Sequence, residues 1–157
     1  MRHYCGGVVV HRGDGDGWTR CALGHRHWGL FGAAGLLLRH GDLVLLQHRA
    51  VWSHYGGTWG LLGGARNRGE TAEEAAQREA GEEAGVAPGS YTVTGSYVDD
   101  HGGWSYTTVV AQAAKAELPT GLTGETLEVR WVPADDLDNL PLHPGFAATW
   151  STVRAIA

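Results

Sequence analysis

The chain is poor in several features that define protein classes. Its 157 residues include 2 cysteines, which are too few for a disulfide framework. No apolar run has the length of a transmembrane helix, and residues 1–7 lack the apolar segment of a secretory signal peptide. The formal net charge of -5 leaves no basic excess for binding duplex nucleic acid. We therefore expect a cytoplasmic protein that binds neither a membrane nor duplex nucleic acid.

Residues 71–85 carry local signals of a helix. Thr71, followed three residues later by Glu74, is a capping box, which predicts that a helix begins near residue 72. The alanines between residues 72 and 84 favour the helical state, and Gly85 is a natural stop. The sequence therefore predicts a helix over residues 72–84.

Three glutamates of this helix share one face. Glu79, Glu82 and Glu83 stand at i, i+3 and i+4, where like charges repel by about 0.2–0.5 kcal/mol per pair. A divalent cation would reverse the sign of that interaction. Oxygen ligands at this density suit Mg²⁺, with Mn²⁺ as an alternative. A solvated acidic surface is the plainer interpretation of such a run, and we prefer it for Glu73 and Glu74.

The helix lies within a longer pattern that spans residues 64–86. The pattern G-x5-E-x7-R-E-U-x-E-E-x-G-U, where U is apolar, is matched at every defined position. The matching residues are Gly64, Glu70, Arg78, Glu79, Ala80, Glu82, Glu83, Gly85 and Val86. A chance match at average residue usage is expected on the order of once in 10⁹ positions. This pattern is the Nudix box, so the chain resembles the Nudix hydrolases, which cleave nucleoside diphosphates linked to another group.

The resemblance implies roles for the box residues. Glu82 and Glu83 would bind the metal directly, and Glu79 would be a third ligand or the base that activates water. The backbone carbonyl of the residue matching Gly64 often joins the metal shell in the family. An ion pair between Glu70 and Arg78 would tie the preceding loop to the helix and orient the neighbouring carboxylates. We count Arg78 with the three glutamates as catalytic machinery.

A further metal-binding acid is expected from a later loop. Glu125 stands six residues before Trp131, which resembles the position of an additional glutamate in MutT-type members of the family. Glu128 is the competing candidate. In many relatives the residue at that place helps to shape the fold.

Substrate contacts must come from outside the box. Arg49 falls where MutT-type enzymes place an arginine that contacts the nucleotide, and an arginine suits phosphate or a purine edge. The alternative is a surface arginine that ends a strand. For stacking of the base we select Trp104 and Tyr106, because a strand edge beside a glycine loop should open to solvent.

The N-terminal segment has two interpretations. Cys5, Cys21, His25 and His27 are residue types that structural Zn²⁺ accepts, and some Nudix enzymes carry a zinc ribbon before the hydrolase domain. Residues 1–30 would then be a degenerate extension of that kind. No Cys-x2-Cys pair is present, however. We favour a hairpin, made of strands over 6–11 and 18–23, that packs on the domain.

The rest of the chain predicts the fold. Its length indicates one domain over residues 1–157. The predicted strands are 33–39, 42–49, 91–97, 105–114 and 126–132, and a closing helix is predicted over 146–156. Strands and helices in this order, together with the resemblance, imply an α/β/α sandwich with a mixed β-sheet.

Three functions follow from these residues. The first is Mg²⁺-dependent hydrolysis of a nucleoside triphosphate, canonical or oxidised, to the monophosphate and pyrophosphate. The second is hydrolysis of ADP-ribose or a nucleotide sugar. The third is a Nudix-fold nucleotide sensor without turnover, which the intact set of box glutamates argues against. Many relatives dimerise, so a homodimer is compatible with the resemblance.

Overall fold

The computed structural model describes residues 2–5, 8–11 and 13–157. The strands in these residues are β1 (Arg2–Cys5), β2 (Val8–His11), β3 (Trp18–Arg20), β4 (Arg26–Trp28), β5 (Ala33–His40), β6 (Leu43–Arg49), β7 (Trp59–Gly60), β8 (Leu62–Ala65), β9 (Tyr91–Asp100), β10 (Ser105–Ala113) and β11 (Thr126–Pro133). The α-helices are α1 (Ala72–Ala84) and α2 (Pro144–Ile156), and short 3-10 turns span Pro88–Ser90 and Ala134–Asn139.

One large mixed sheet organises the domain. Its main path runs β11-β6-β5-β10-β9, with β7 paired to β6 and β8 paired to β5. β5 and β10 are parallel, and the other pairings in the sheet are antiparallel. The first seven residues of β5 are all buried, which is the pattern of a central strand covered on both faces.

The two faces of the sheet carry separate cores. Leu36 and Leu38 of β5 pack with the buried alanines of α1, whereas Leu37 between them packs with the aromatic residues of α2. This alternation follows from the two-residue period of a strand. The predicted α/β/α sandwich with a mixed sheet is therefore confirmed.

Helix α1 lies very close to the sheet. The apolar residues that it buries against the strands are alanines, and four of them are fully buried: Ala75, Ala76, Ala80 and Ala84. Short apolar side chains let the helix backbone approach the strands. Glu79 and Glu83 are consequently held near the backbone of β8.

The boundaries of α1 agree with the sequence prediction. The Thr71 hydroxyl accepts a hydrogen bond from the Glu74 amide at 3.1 Å, and the Glu74 carboxylate accepts one from the Thr71 amide at 3.1 Å. At the other end Gly85 adopts φ 74°, and its amide donates back to the last turn. The predicted capping box and glycine stop are both present.

The N-terminal prediction is wrong in its pairing. β1 pairs with β2, and β3 pairs with β4, so 6–11 and 18–23 do not form one hairpin. Within 21–25 the Cys21 amide donates to the His25 carbonyl at 3.0 Å, and Gly24 adopts φ 82°. This turn directs β3 forward to β4. Residues 6 and 7 of the predicted first strand lie outside the described residues.

The glycine-rich segment before α1 belongs to the sheet. Gly60 lies in β7, which pairs with β6, and Gly63 lies in β8, which pairs with β5. A Cβ on Gly63 would contact the backbone of Ala34 and Gly35, so this close pairing requires glycine.

Over the described part of the chain, no helix is long and apolar enough to cross a bilayer.

Candidate active site

Arg78, in the middle of α1, joins this helix to the strand and loop before it. Its Nε and Nη2 donate to the two carboxylate oxygens of Glu70 at 2.8 and 2.9 Å, and Nη2 also donates to the Ala65 carbonyl at 2.9 Å. This hydrogen-bonded pair lowers the pKa of Glu70. The predicted pairing of Glu70 with Arg78 is confirmed. The paired hydrogen bonds hold the planar guanidinium in one orientation, which the single ammonium group of a lysine would not reproduce.

The same arginine holds Glu79. Arg78 Nη1 donates to Glu79 Oε1 at 2.9 Å, and the carboxylate packs against the backbone of Gly64. A Cβ on Gly64 would lie 2.6 Å from the carboxyl carbon of Glu79, so the contact requires glycine. Burial raises the pKa of Glu79 to about 7, and the charge of Arg78 opposes that rise.

Glu83 is the most deeply placed acid of the box, with 5% of its surface exposed. One carboxylate oxygen accepts a hydrogen bond from the Gly63 amide at 2.8 Å, and the other accepts one from Gln47 Nε2 at 3.1 Å. Burial raises the pKa of Glu83 well above its ordinary value, and the nearby charges of Glu79 and Glu125 raise it further. Among the described residues, no cationic side chain forms an ion pair with the Glu83 carboxylate.

Glu82 lies at the outer edge of the cluster. Its side chain is 40% exposed, and one oxygen is 3.4 Å from Arg78 Nη1. From solvent to the interior, the order of the clustered glutamates is therefore Glu82, Glu79, Glu83. On the face predicted from the spacing, Glu79 and Glu83 lie against the backbone of β8.

Glu125, rather than Glu128, joins this cluster. The charge of Glu125 raises the pKa values of both Glu79 and Glu83, which places its carboxylate within their electrostatic reach. Glu128 instead pairs with Arg130 at 3.0 Å on an exposed part of β11. The electrostatics thus favour Glu125 over Glu128, and metal binding by Glu125 stays a prediction.

Two further residues belong to the cluster and were missed in the sequence. Gln47 is 1% exposed, and its amide nitrogen bridges Glu83 to the Thr126 hydroxyl, 2.8 Å away. A polar residue within the apolar run of β6 was the available signal. The charge of Asp16 raises the pKa of Glu125, so the loop 13–17 reaches the cluster from the N-terminal side. In the sequence, the alternating glycines and aspartates of that loop were the feature that could have identified it.

The donor set fits a hard divalent cation. It consists of four carboxylates, Glu79, Glu82, Glu83 and Glu125, of which three have pKa values raised chiefly by burial. A bound cation would favour the ionised forms that burial disfavours. Oxygen ligands without thiolate or imidazole are those that Mg²⁺ and Mn²⁺ prefer.

Arg49 lies beside the cluster at the end of β6. Its Nε and Nη2 donate to the His54 carbonyl at 3.1 and 2.8 Å, which fixes the loop that follows. Its charge opposes the rise in the pKa of Glu125 and lowers the pKa of His143, for which burial is the larger cause. A substrate contact by Arg49 stays a prediction.

The expected platform for a base at Trp104 and Tyr106 is not open. Trp104 is 9% exposed, its indole nitrogen donates to the Gly29 carbonyl at 3.0 Å, and the ring of His27 stacks on it at 3.9 Å. Tyr106 is partly buried with its hydroxyl against Gly35, and burial raises its pKa. The expectation of solvent-open rings is wrong because the β3–β4 hairpin covers this end of β10.

Exposed aromatic residues lie on the loop beside Arg49 instead. Tyr55 is 48% exposed, and it is the one non-glycine residue with positive φ, 54°, in the described segments. Its ring lies 4.2 Å from that of His54 and 4.9 Å from that of His143. A strained, exposed aromatic side chain next to a buried acidic cluster is typical of a binding loop.

A family model describes most of this fold. The model of the NUDIX domain matches residues 29–152. The chain therefore belongs to the Nudix family, and it is a hydrolase that acts on pyrophosphate bonds.

Relatives of known name agree with this assignment. A Mycobacterium tuberculosis protein provisionally named 8-oxo-dGTP diphosphatase 3 is 50% identical over 156 residues, covering 91% of this chain and 70% of that protein. A nucleoside triphosphate pyrophosphatase/Nudix hydrolase fusion protein from Bifidobacterium longum is 45% identical over 93% of this chain, which spans 32% of that protein. The crystal structure of the Nudix hydrolase RenU from M. smegmatis superposes with a TM-score of 0.82, at 49% identity, over 90% of this chain and 94% of that chain.

Proposed function

We propose that this chain hydrolyses a nucleoside triphosphate, canonical or oxidised at the base, to the nucleoside monophosphate and pyrophosphate, with Mg²⁺ as its metal and Mn²⁺ as a substitute. The observation that carries the proposal is the meeting of Glu125 with Glu79, Glu82 and Glu83 of the box, beside the backbone of Gly63 and Gly64. The name of the M. tuberculosis relative supports a triphosphate substrate.

The four carboxylates and Arg78 would have different roles in the reaction. Glu82, Glu83 and Glu125 would hold the metal, which stabilises charge on phosphate oxygens and lowers the pKa of the attacking water. Arg78 keeps one oxygen of Glu79 occupied and positions the side chain. Glu79, whose pKa burial raises to about 7 before any cation is bound, would accept the proton that water releases.

Arg49 and Tyr55 would bind the nucleotide. The guanidinium of Arg49 can contact a phosphate or a purine edge once it leaves the His54 carbonyl. The exposed ring of Tyr55 offers a surface on which a base stacks, an interaction of about 1–3 kcal/mol. Tyr55→Ala should therefore raise KM by about 5- to 150-fold with little change in kcat, and Tyr55→Phe should behave like the wild type.

A chromatographic screen of products tests the reaction. The purified chain is incubated with Mg²⁺ and canonical or 8-oxo nucleoside triphosphates, ADP-ribose, diadenosine polyphosphates or nucleotide sugars. A monophosphate plus pyrophosphate from one triphosphate supports the proposal. Two monophosphates formed preferentially from ADP-ribose would move the chain to the second candidate function. A folded protein that turns over none of the panel would favour a sensor.

A pair of variants assigns the turnover to this site. Glu82 is more exposed than Glu79 and Glu83, so Glu82→Gln should fold normally while kcat falls by about two orders of magnitude or more. Glu128→Gln is the matched control, because Glu128 lies on the surface and pairs with Arg130. Equal turnover by wild type and Glu82→Gln would refute the assignment.

Three statements about the whole protein belong to the same proposal. We propose one domain over residues 1–157, since His27 of β4 stacks on Trp104, the residue before β10. A cytoplasmic location accords with two cysteines and no disulfide framework. A homodimer accords with the habit of the family, and sedimentation of the purified chain tests it.

A further inference from the structure

Three metal-ligating side chains meet outside the acidic cluster. Cys21 follows β3, His27 lies on β4, and His101 lies in the turn between β9 and β10. One ligand atom from each lies within 4.8 Å of the other two. Two parts of the chain separated by more than seventy residues thus bring a thiol and two imidazoles together.

Two imidazole nitrogens of this cluster have no hydrogen-bond partner in the part of the chain that the structure describes. His27 Nε2 and His101 Nδ1 are buried and have no hydrogen bond among the described residues, and Cys21 is 6% exposed. Buried polar atoms without a partner cost about 1–3 kcal/mol each, so they usually mark an absent ligand, ion or water. Two such imidazoles beside one thiol are a donor set for a metal.

The outer contacts of His101 match those of a metal ligand. Its Nε2 is 2.8 Å from a carboxylate oxygen of Asp99, which leaves Nδ1 for another partner. A carboxylate on the second nitrogen orients an imidazole and increases its basicity, as it does for many metal-bound histidines. His27 is oriented separately by the ring of Trp104, on which it stacks at 3.9 Å.

Protein contacts already hold the two parts together. The Ala22 amide donates to the Gly102 carbonyl at 2.7 Å, and the Trp104 indole donates to the Gly29 carbonyl at 3.0 Å. Ligands on these two segments need only a small contraction to surround one ion. In a tetrahedral site with metal–sulfur and metal–nitrogen distances of about 2.3 and 2.0–2.1 Å, the ligand atoms are roughly 3.5 Å apart.

We propose that Cys21, His27 and His101 bind one Zn²⁺ ion, with water at the fourth position, and that this ion fastens the β3–β4 hairpin to the turn between β9 and β10. One thiolate and two imidazoles are ligands that Zn²⁺ prefers and Mg²⁺ does not. This set differs from the four residues that the sequence suggested. His25 is exposed and takes no part, the side chain of Cys5 lies outside the described residues, and His101 could not be foreseen.

Metal analysis tests the proposal. The untagged protein is purified with saturating Mg²⁺, so that the acidic cluster is filled, and its zinc content is measured after dialysis against a metal-free buffer. One equivalent of Zn²⁺ per chain is expected, falling to near zero in His101→Ala and remaining at one in His25→Ala. His25→Ala is the matched control, since it removes an exposed histidine from the same hairpin. A folded wild type without zinc, or a His101→Ala variant that retains it, would overturn the proposal.

A spectroscopic measurement guards against variants that fail to fold. Co²⁺ added to the metal-free wild type should give the visible bands of a tetrahedral site and a thiolate-to-cobalt charge-transfer band. The charge-transfer band should vanish in Cys21→Ser. If it persists there, the sulfur ligand is Cys5 and the proposal is wrong. Asp99→Asn should weaken zinc affinity by about 10- to 100-fold while the protein still folds, and unchanged affinity would count against the site.

Discussion

Gly64→Ala is the substitution that most directly perturbs the acidic cluster. The added Cβ would lie 2.6 Å from the carboxyl carbon of Glu79 and 2.8 and 2.9 Å from its two oxygens. Ordinary contacts begin at 3.4 Å, so the carboxylate must move by about 0.8 Å. The backbone of β8 cannot yield instead, because Gly64 pairs with Ala34 in the sheet.

The displaced carboxylate has no easy alternative position. Glu79 is bound to Arg78, which is held in turn by two hydrogen bonds to Glu70 and one to Ala65. A positional error approaching 1 Å in a catalytic group costs on the order of 10²-fold in rate. We therefore expect kcat of Gly64→Ala to fall by about 10- to 100-fold, with a smaller change in KM.

Steady-state release of pyrophosphate measures this effect, alongside circular dichroism and thermal unfolding to verify the fold. Gly95→Ala is the matched control, because Gly95 is also a strand residue without positive φ, and a Cβ there would meet nothing within 4 Å. Unaltered kcat in a folded Gly64→Ala would refute the reasoning, since it would mean that the position of Glu79 does not limit turnover.

Three other perturbations have defined outcomes. Because the folded pKa of Glu79, about 7, exceeds its ordinary value of 4.5, its protonation stabilises the fold below pH 4.5, and this contribution is lost as pH rises through 7. In EDTA, Tm should thus fall less between pH 5 and 8 in Glu79→Gln than in the wild type. Mg²⁺ should raise the wild-type Tm more at pH 8 than at pH 5. Equal slopes of Tm against pH in the two proteins would exclude this titration. Arg78→Lys should lower kcat about tenfold or more, since one ammonium cannot reproduce the paired bonds to Glu70, and wild-type kinetics would contradict that role. Gly85→Ala should lower the free energy of unfolding in urea by about 1–2 kcal/mol, because φ is 74° at this residue. Gly81→Ala in the helix interior should not lower it. Equal urea midpoints for the two variants would count against strain at Gly85.

The sequence predicts α1 well because the signals for it are local. Thr71 and Glu74 satisfy each other's backbone amides, and Gly85 adopts the left-handed conformation that ends the helix. The spacing of the glutamates and the pairing of Glu70 with Arg78 follow from the helix itself. These features need no knowledge of the rest of the chain.

What the sequence does not predict depends on contacts between distant segments. Trp104 is buried by a hairpin that precedes it by some eighty residues, and His101 meets Cys21 only through that same contact. Gln47 looks like one polar residue in an apolar strand until Glu83 is placed beside it. Neither periodicity nor propensity carries such information, because each is a property of neighbouring residues.

The parallel pairing of β5 with β10 sets the order in which the site is completed. Ala33 of β5 aligns with Tyr106 of β10. The loop of chain that this pairing closes therefore contains β6, β8, the whole of α1 and β9. Closing a loop of that size is slow compared with forming a helix turn. Helix α1 can therefore form early, but Glu125, beyond the closing strand, reaches it only when the sheet is nearly finished. During refolding, recovery of activity should lag behind recovery of helix, and a chain stalled before β10 docks would carry the complete box without the completed site.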